Sequence, residues 1–292
     1  MSGSKLDRLR EGSPLVLDGT MGTALCSLAA PGAAPVPVDR LNLEDPAAVM
    51  AVHGAHVEAR AEVLRTNTFS GAERALREHR VEASASALAR AGAELALEAA
   101  RAAEPAPLVL GTVGPGEGPP DADPARVGGL LDGGADAILL ETVPGPAAAR
   151  AMLGAVRAVA PEAPLLLSLT PALEPEPGGA RSMTEVAAVA EEFGVALLAL
   201  NCGHGPRSLE RSLSILRDRW SGALGAWPNA GLPKQVGGEW RWPVGPDELA
   251  EWCAAAVQRH DLRLVGGCCG STAAHVRAVA RAVGQSGGAG PA

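Results

Sequence analysis

A single eight-stranded parallel barrel, the (β/α)8 or TIM barrel of the α/β class, is the fold the sequence predicts, on three observations. Short, continuously apolar runs bounded by turn residues recur eight times along the 292 residues, and continuous rather than alternating apolarity is what a strand covered on both faces requires. Segments of amphipathic helical character separate the runs, several of them opening on Pro at a first-turn position. The residues ending the runs are rich in Asp, Asn and Cys, and a closed parallel barrel gathers such strand ends at one mouth, where active sites are found.

In chain order the strands are expected at Leu15–Asp18, Val63–Phe69, Leu108–Gly114, Ala137–Val143, Leu165–Thr170, Ala196–Cys202, Ala223–Asn229 and Leu262–Cys269. Helices fit between them at Pro46–Arg60, Glu73–Ala102, Pro124–Gly133, Pro146–Ala158, Met183–Phe193, Pro206–Trp220, Pro246–His260 and Thr272–Val283. Residues 1–285 form the barrel domain in this reading, and 286–292 a disordered tail. The Pro-rich stretch Ala29–Arg40 reads as a loop over the mouth or a subunit contact.

Composition narrows the function classes. Hydrophobic residues make up 47% of the chain and charged residues 20%, enough to bury a sizeable core. A formal charge of −8 gives no basic footprint for a phosphate backbone, so nucleic acid is excluded as a partner. No apolar run approaches the roughly 18 residues of a membrane span, and the start MSGSKLDRLREG has no apolar stretch behind its basic residues. A soluble, cytoplasmic protein without a membrane partner is expected. The five cysteines are odd in number and two are adjacent, which fits a metal or catalytic role in a reducing compartment better than a disulfide framework.

Asp18, Asn67, Glu141, Ser168, Asn201, Cys202, Asn229, Cys268 and Cys269 all fall at or just beyond strand ends. Polar strand ends are also ordinary turn chemistry, so the cysteines carry the weight. Cys202 closes the sixth run in LALNCGHGP, and Cys268–Cys269 closes the eighth in LVGGCCGST. Zinc is the natural occupant of such a trio, because soft thiolates suit it and a catalytic site offers three protein ligands and one open position. Gly266, Gly267 and Gly270 let the backbone turn so that adjacent cysteines both ligate. The alternatives are cysteines packed as small hydrophobes, which is the reading for Cys26 and Cys253, and a strained disulfide between Cys268 and Cys269. His204 is a further candidate ligand in a Gly-rich loop. The other histidines, His53, His56, His79, His260 and His275, are expected on helices outside the barrel, far from the mouth.

With these residues in place, the chain resembles the homocysteine S-methyltransferase family, the barrel module found also in betaine-homocysteine methyltransferase and cobalamin-dependent methionine synthase. The likeness runs from LDGTMGT (Leu17–Thr23) through TNTF (Thr66–Phe69), VGP (Val113–Pro115), ETVP (Glu141–Pro144) and NCGHGP to PNAGLP (Pro228–Pro233) and GGCCGST. It implies that Cys202, Cys268 and Cys269 bind zinc, with the sulfur of L-homocysteine in the fourth position and Asn229 approaching the metal when that position is empty. It also implies that Asp18, Gly19, Gly22, Thr66, Asn67 and Thr68 line the amino-acid pocket together with Asn201, and that Glu141 lies near the substrate ammonium. The implied reaction moves a methyl group to that thiol to form methionine, since a zinc-bound thiol is deprotonated and stays nucleophilic.

The methyl donor follows less directly. Cationic donors are usually held by aromatic cages, yet the chain has no Tyr and only two Phe, leaving Trp227, Trp240 and Trp242 as a partial wall. PNAGLP most resembles the cobalamin-dependent synthases and their stand-alone relatives, so a methylcorrinoid on a separate protein is expected as donor, with S-methylmethionine as the small-molecule option. Two departures from the family stand out: the loop GPGEGPPDADP after the third strand is short, and AHVEARAEV replaces a common Ala-Gly-Ala turn before the second. A zinc barrel acting on another small thiol or selenol, and a non-catalytic barrel that keeps the metal, are the competing readings.

Overall fold

The computed structural model describes residues 5–28, 37–116, 122–171, 179–237 and 239–286. Eight parallel strands form one sheet: β1 (Leu15–Val16), β2 (Val63–Arg65), β3 (Leu108–Val113), β4 (Ala137–Val143), β5 (Leu165–Leu169), β6 (Leu197–Cys202), β7 (Ala223–Pro228) and β10 (Leu262–Val265). Between the last two lies an antiparallel hairpin, β8 (Lys234–Val236) with β9 (Glu239–Arg241). The sheet order is β1-β10-β7-β6-β5-β4-β3-β2, and a bridge from Leu17 to Val63 joins its two ends. The single-barrel expectation is met.

The helices are α1 (Gly22–Leu28), α2 (Leu41–Glu44), α3 (Pro46–Glu58), α4 (Glu73–Glu78), α5 (Ala85–Ala100), α6 (Pro124–Asp132), α7 (Pro146–Val159), α8 (Gly179–Glu192), α9 (Glu210–Arg219), α10 (Pro246–His260) and α11 (Ala273–Ser286). None of the described helices is long and apolar enough to cross a membrane. The helices α3, α6, α7 and α10 start at the expected Pro, whereas Pro206 opens a 3-10 turn (Pro206–Leu209) that leads into α9. Asp45 and Asp123 cap α3 and α6 by accepting from Ala48 N–H and Ala125 N–H, as N-cap carboxylates do. One expected helix, Glu73–Ala102, is two. Arg80 takes a left-handed φ of 55°, which ends α4, and the Ser84 hydroxyl accepts from Ala87 N–H to start α5.

Strand alternation sorts the core into two layers. Leu15, Leu17, Leu110, Leu139, Leu197 and Leu264 point inward with Trp227, while their neighbours Val16, Leu64, Val109, Ile138, Leu198 and Val265 pack outward against the helices. Leu9, from a 3-10 turn at Lys5–Leu9, belongs to the inner layer, and Arg10 next to it lines a cavity with the strand starts Ala196 and Ala223. Leu9 therefore sits toward the amino end of the barrel, leaving the carboxyl end as the mouth.

Several expected strands stop short of their polar tails. Ladder pairing of the second ends at Arg65 and of the eighth at Val265. Beyond these points side chains and single backbone bonds take over: Thr112 N–H donates to Thr66 Oγ1 at 2.9 Å, and Cys268 N–H to Pro228 O at 2.8 Å. The hairpin and the short helices α1 and α2 carry too few residues for a periodic signal. Residues 29–36, 117–121 and 287–292, on which most of the Pro-rich loop, the trimmed third loop and the tail fall, lie outside the described residues.

Candidate functional site

Three elements deliver the cysteines to the mouth. Cys202 is the last residue of β6 and takes φ 63°, a left-handed conformation that costs a non-glycine residue about 1 to 3 kcal/mol and clusters at functional sites. Cys268 and Cys269 follow β10, and Gly270 turns the chain behind them at φ 79°. A side chain at Gly270 is barred twice over, because a Cβ there would lie 2.1 Å from Cδ2 of Trp242. The Trp242 ring thus packs directly on the turn that carries the pair.

The three Sγ atoms lie within 4.8 Å of one another, with Cys202 and Cys268 3.3 Å apart and Cys268 and Cys269 4.0 Å apart. Three sulfurs on a tetrahedral zinc, each at about 2.3 Å, stand about 3.8 Å apart, so the triangle has the size of one face of that tetrahedron. The donor set fits too, being all soft sulfur. Hydrogen bonds with Cys202 and Cys268 draw the Cys269 thiol well below the ordinary thiol range. Cys202 is pushed up by its hydrogen bonds with Cys268 and Cys269 and by burial. Cys268 is drawn down by Cys202 but pushed up on balance by Cys269 and by burial.

The sulfurs are held by a buried amide network. Asn201 is fully buried; its Oδ1 accepts from Ser168 Oγ at 2.7 Å and Thr142 N–H at 3.2 Å. Its Nδ2 donates to Thr142 Oγ1 at 2.7 Å and approaches Cys202 Sγ at 3.3 Å. Asn201, expected at the substrate, thus contacts the sulfur of a cysteine. Asn229 spans the two cysteine loops, donating to Gly203 O at 2.8 Å and accepting from Cys269 N–H at 3.1 Å, so its oxygen is engaged with backbone here. His204 is exposed and stands outside the sulfur cluster.

Beside the sulfurs lies a charged network that sequence reasoning missed. Arg65, the last residue of β2, is buried. Its Nε donates to Asp18 Oδ1 at 2.8 Å, its Nη1 to Glu141 Oε1 at 2.6 Å, and its Nη2 to the carbonyls of Gly19 at 2.9 Å and Gly267 at 3.1 Å. Arg65 N–H also donates to Asp18 Oδ2 at 2.8 Å. Burial raises the pKa of both carboxyls and the guanidinium opposes it; the two carboxylates in turn hold Arg65 firmly charged against its own desolvation. Trp227, expected as part of a donor wall, is fully buried in the inner layer and donates its indole N–H to Glu141 Oε1 at 2.8 Å. Both donors thus use one oxygen of Glu141; Oε2 makes no hydrogen bond among the described residues yet is not sealed from solvent.

The TNT segment is buried and serves mainly as a staple. Thr68 Oγ1 donates to Thr112 O at 2.7 Å and lies 2.6 Å from Thr66 Oγ1. Asn67 turns away, donating to Val38 O and to Asn42 Oδ1, each at 3.0 Å. Gly19 is required: a Cβ there would stand 2.7 Å from His56 Nε2 and 3.1 Å from Ser271 O. Gly22 opens α1 in uncrowded space, where a Cβ would meet only Val38 at 4.0 Å. The contact at Gly19 corrects the placement of the α3 histidines far from the mouth. His53 and His56 are buried, and desolvation pushes both down to about 4.

A family model described as homocysteine S-methyltransferase matches residues 15–283. The chain belongs to the homocysteine S-methyltransferase family. Among curated relatives, the methionine synthase of Mycobacterium tuberculosis strain H37Rv is 32% identical over 297 residues, covering 92% of this chain and 24% of that protein. The methionine synthase of Mycobacterium leprae is 32% identical over 261 residues, covering 83% of this chain and 22% of that protein. This homocysteine S-methyltransferase family member therefore spans less than a quarter of the curated relatives it matches. Among solved structures, the metallated form of the homocysteine methyltransferase MmuM from Escherichia coli superimposes with a TM-score of 0.76 at 24% identity, covering 92% of this chain and 96% of that one. The apo form gives 0.71 at 25% identity over 93% and 97%.

Proposed function

We propose that the chain is a zinc-dependent S-methyltransferase that moves a methyl group onto the thiol of L-homocysteine to form methionine, with the metal held by Cys202, Cys268 and Cys269. The sulfur triangle at the barrel mouth carries this reading, because its size and chemistry match three ligands of a tetrahedral zinc. Zinc, when bound, supplies Lewis acidity that strips an alkyl thiol, of ordinary pKa about 8.5, of its proton and keeps it nucleophilic at neutral pH.

The chain's own residues do the rest. Asn201 donates to the sulfur of Cys202, and Asn229 ties the backbone N–H of Cys269 to the carbonyl of Gly203. Glu141 offers Oε2 to the substrate ammonium, while Arg65 and Trp227 immobilise its other oxygen. The N–H of Gly19 has no acceptor among the described residues, which supports its role in taking the substrate carboxylate at the Asp18–Gly19 turn. Asp18 acts through Arg65, and Thr66, Asn67 and Thr68 shape the wall behind it.

A quaternary-ammonium cage needs several aromatic walls. With Trp227 committed to the interior, Trp242 at Gly270, Trp240, 64% exposed on the hairpin, and Phe69 beside Gly114 are the aromatics at hand among the described residues. The likeness of Pro228–Pro233 to the cobalamin-dependent synthases supports a methylcorrinoid presented by a separate protein as donor, with S-methylmethionine as the small-molecule option. The reading is tested by zinc content and by methionine formation from L-homocysteine with S-methylmethionine, betaine, S-adenosylmethionine and methylcobalamin, free or protein-bound. One zinc per chain, lost in Cys202→Ala, with turnover on the corrinoid donor is expected. A reduced protein that takes up no zinc sinks the proposal.

A further inference from the structure

The guanidinium of Arg65 touches both ends of the pocket at once. Through Nη1 it holds Glu141, the acceptor for the ammonium, and through Nη2 it holds the carbonyl of Gly267, the residue preceding Cys268. We propose that Arg65 is a positioning residue that fixes the distance between the sulfur end and the ammonium end of the pocket, and so selects homocysteine over the shorter amino-acid thiol cysteine. The inference rests on the functional reading above and deepens it.

Charge alone cannot make this choice. Asp18, Glu141 and Arg65 together leave one net negative charge, which matches one ammonium, and both thiols carry the same ammonium and carboxylate. They differ by a single methylene, so only the spacing of the two ends distinguishes them. A planar guanidinium binding both ends in one rigid fork sets that spacing, whereas a lysine ammonium supplies the charge without the fork.

Arg65 also makes contacts on the β1 side of the barrel. Its backbone N–H and Nε bind the Asp18 carboxylate, and these bonds clasp the barrel seam, where β1 and β2 are otherwise joined by the bridge from Leu17 to Val63 and few backbone bonds. Nη2 also reaches the carbonyls of Asp18 and Gly19 on the β1 side, while the bonds to Glu141 and Gly267 reach β4 and the turn after β10. Both of these contacts are buried.

The test is the ratio of dissociation constants for L-homocysteine and L-cysteine, measured by calorimetry on zinc-loaded wild type and Arg65→Lys. One methylene is worth about 10-fold to 200-fold in a fitted pocket. Wild type is expected to prefer homocysteine by at least about 10-fold, and Arg65→Lys to keep its zinc while the ratio collapses toward unity. Should Arg65→Lys fail to fold, Glu141→Asp, which retracts the ammonium end by one methylene, is expected to shift the ratio with zinc retained. An unchanged ratio in the folded variant, including an equal weakening of both thiols, overturns the proposal and assigns Arg65 to structure alone. Wild type that binds neither thiol fails the functional reading itself, a result distinct from an unchanged ratio.

Discussion

At the scale of single residues, the mouth is organised by buried side chains that bond one another. Asn201 uses its whole carboxamide on Ser168, Thr142 and the sulfur of Cys202. Thr142, a β-branched residue, accepts a left-handed φ of 63° to complete that network, and bulky residues in that region are uncommon enough to need a reason. Groups that orient metal ligands typically cost 10-fold to 100-fold in affinity when removed. Asn201→Ala is expected to weaken zinc by about that factor, measured by competition with a chromogenic chelator, while the far-ultraviolet circular dichroism stays unchanged. Affinity equal to wild type would show that Cys202 needs no such support. The cysteines were legible in the sequence because three thiols at strand ends have few other uses. Arg65 was not, since a single charged residue inside the expected strand Val63–Phe69 carries no signal until its partners Asp18, Glu141 and Gly267 are known.

At the scale of elements, α3 shows both what periodicity reveals and what it hides. Val49, Val52, His53, His56 and Val57 are its buried positions, the spacing of one helical face, so the two histidines sit where valines otherwise do. Reading that face, rather than residue type, would have placed them beside the Asp18–Gly19 turn. Their burial has a pH consequence. The unfolded histidines take up protons near 6.5, while the folded ones resist until about 4. Between these values the unfolded state binds more protons, so stability falls as pH is lowered from 6.5 toward 4, by up to roughly 3 kcal/mol for one such group. Urea unfolding of the reduced protein at pH 7.5, 6 and 5 is expected to show the loss, and His53→Phe to lessen it; a slope identical in the variant would place the proton uptake elsewhere.

The C-terminal end of α3 makes a second point at this scale. Arg60 takes φ 74° at the position where the sequence departs from the Ala-Gly-Ala turn of its family. Glycine adopts that conformation freely, although it also costs more chain entropy on folding. Relief of the strain outweighs the entropy at a left-handed helix end, and Arg60→Gly is expected to raise unfolding stability by about 0.5 to 1 kcal/mol in a denaturant titration. Destabilisation would mean that the Arg60 side chain makes a compensating contact.

At the scale of the whole molecule, the barrel was legible because its strands are continuously apolar, a pattern an open half-exposed sheet does not produce. Its seam was not. The closure of β1 on β2 depends on a two-residue strand, one bridge and the clasp of Arg65 on Asp18, none of which has a periodic signature. The same closure brings Cys202 of β6 and the pair after β10 together, although 66 residues separate Cys202 from Cys268. Zinc K-edge absorption of the loaded protein, with and without L-homocysteine, tests the central claim most directly. Three sulfur ligands at about 2.3 Å rising to four when homocysteine is added is the expected result; a first shell without the three sulfurs, or a sulfur count that homocysteine leaves unchanged, would contradict it.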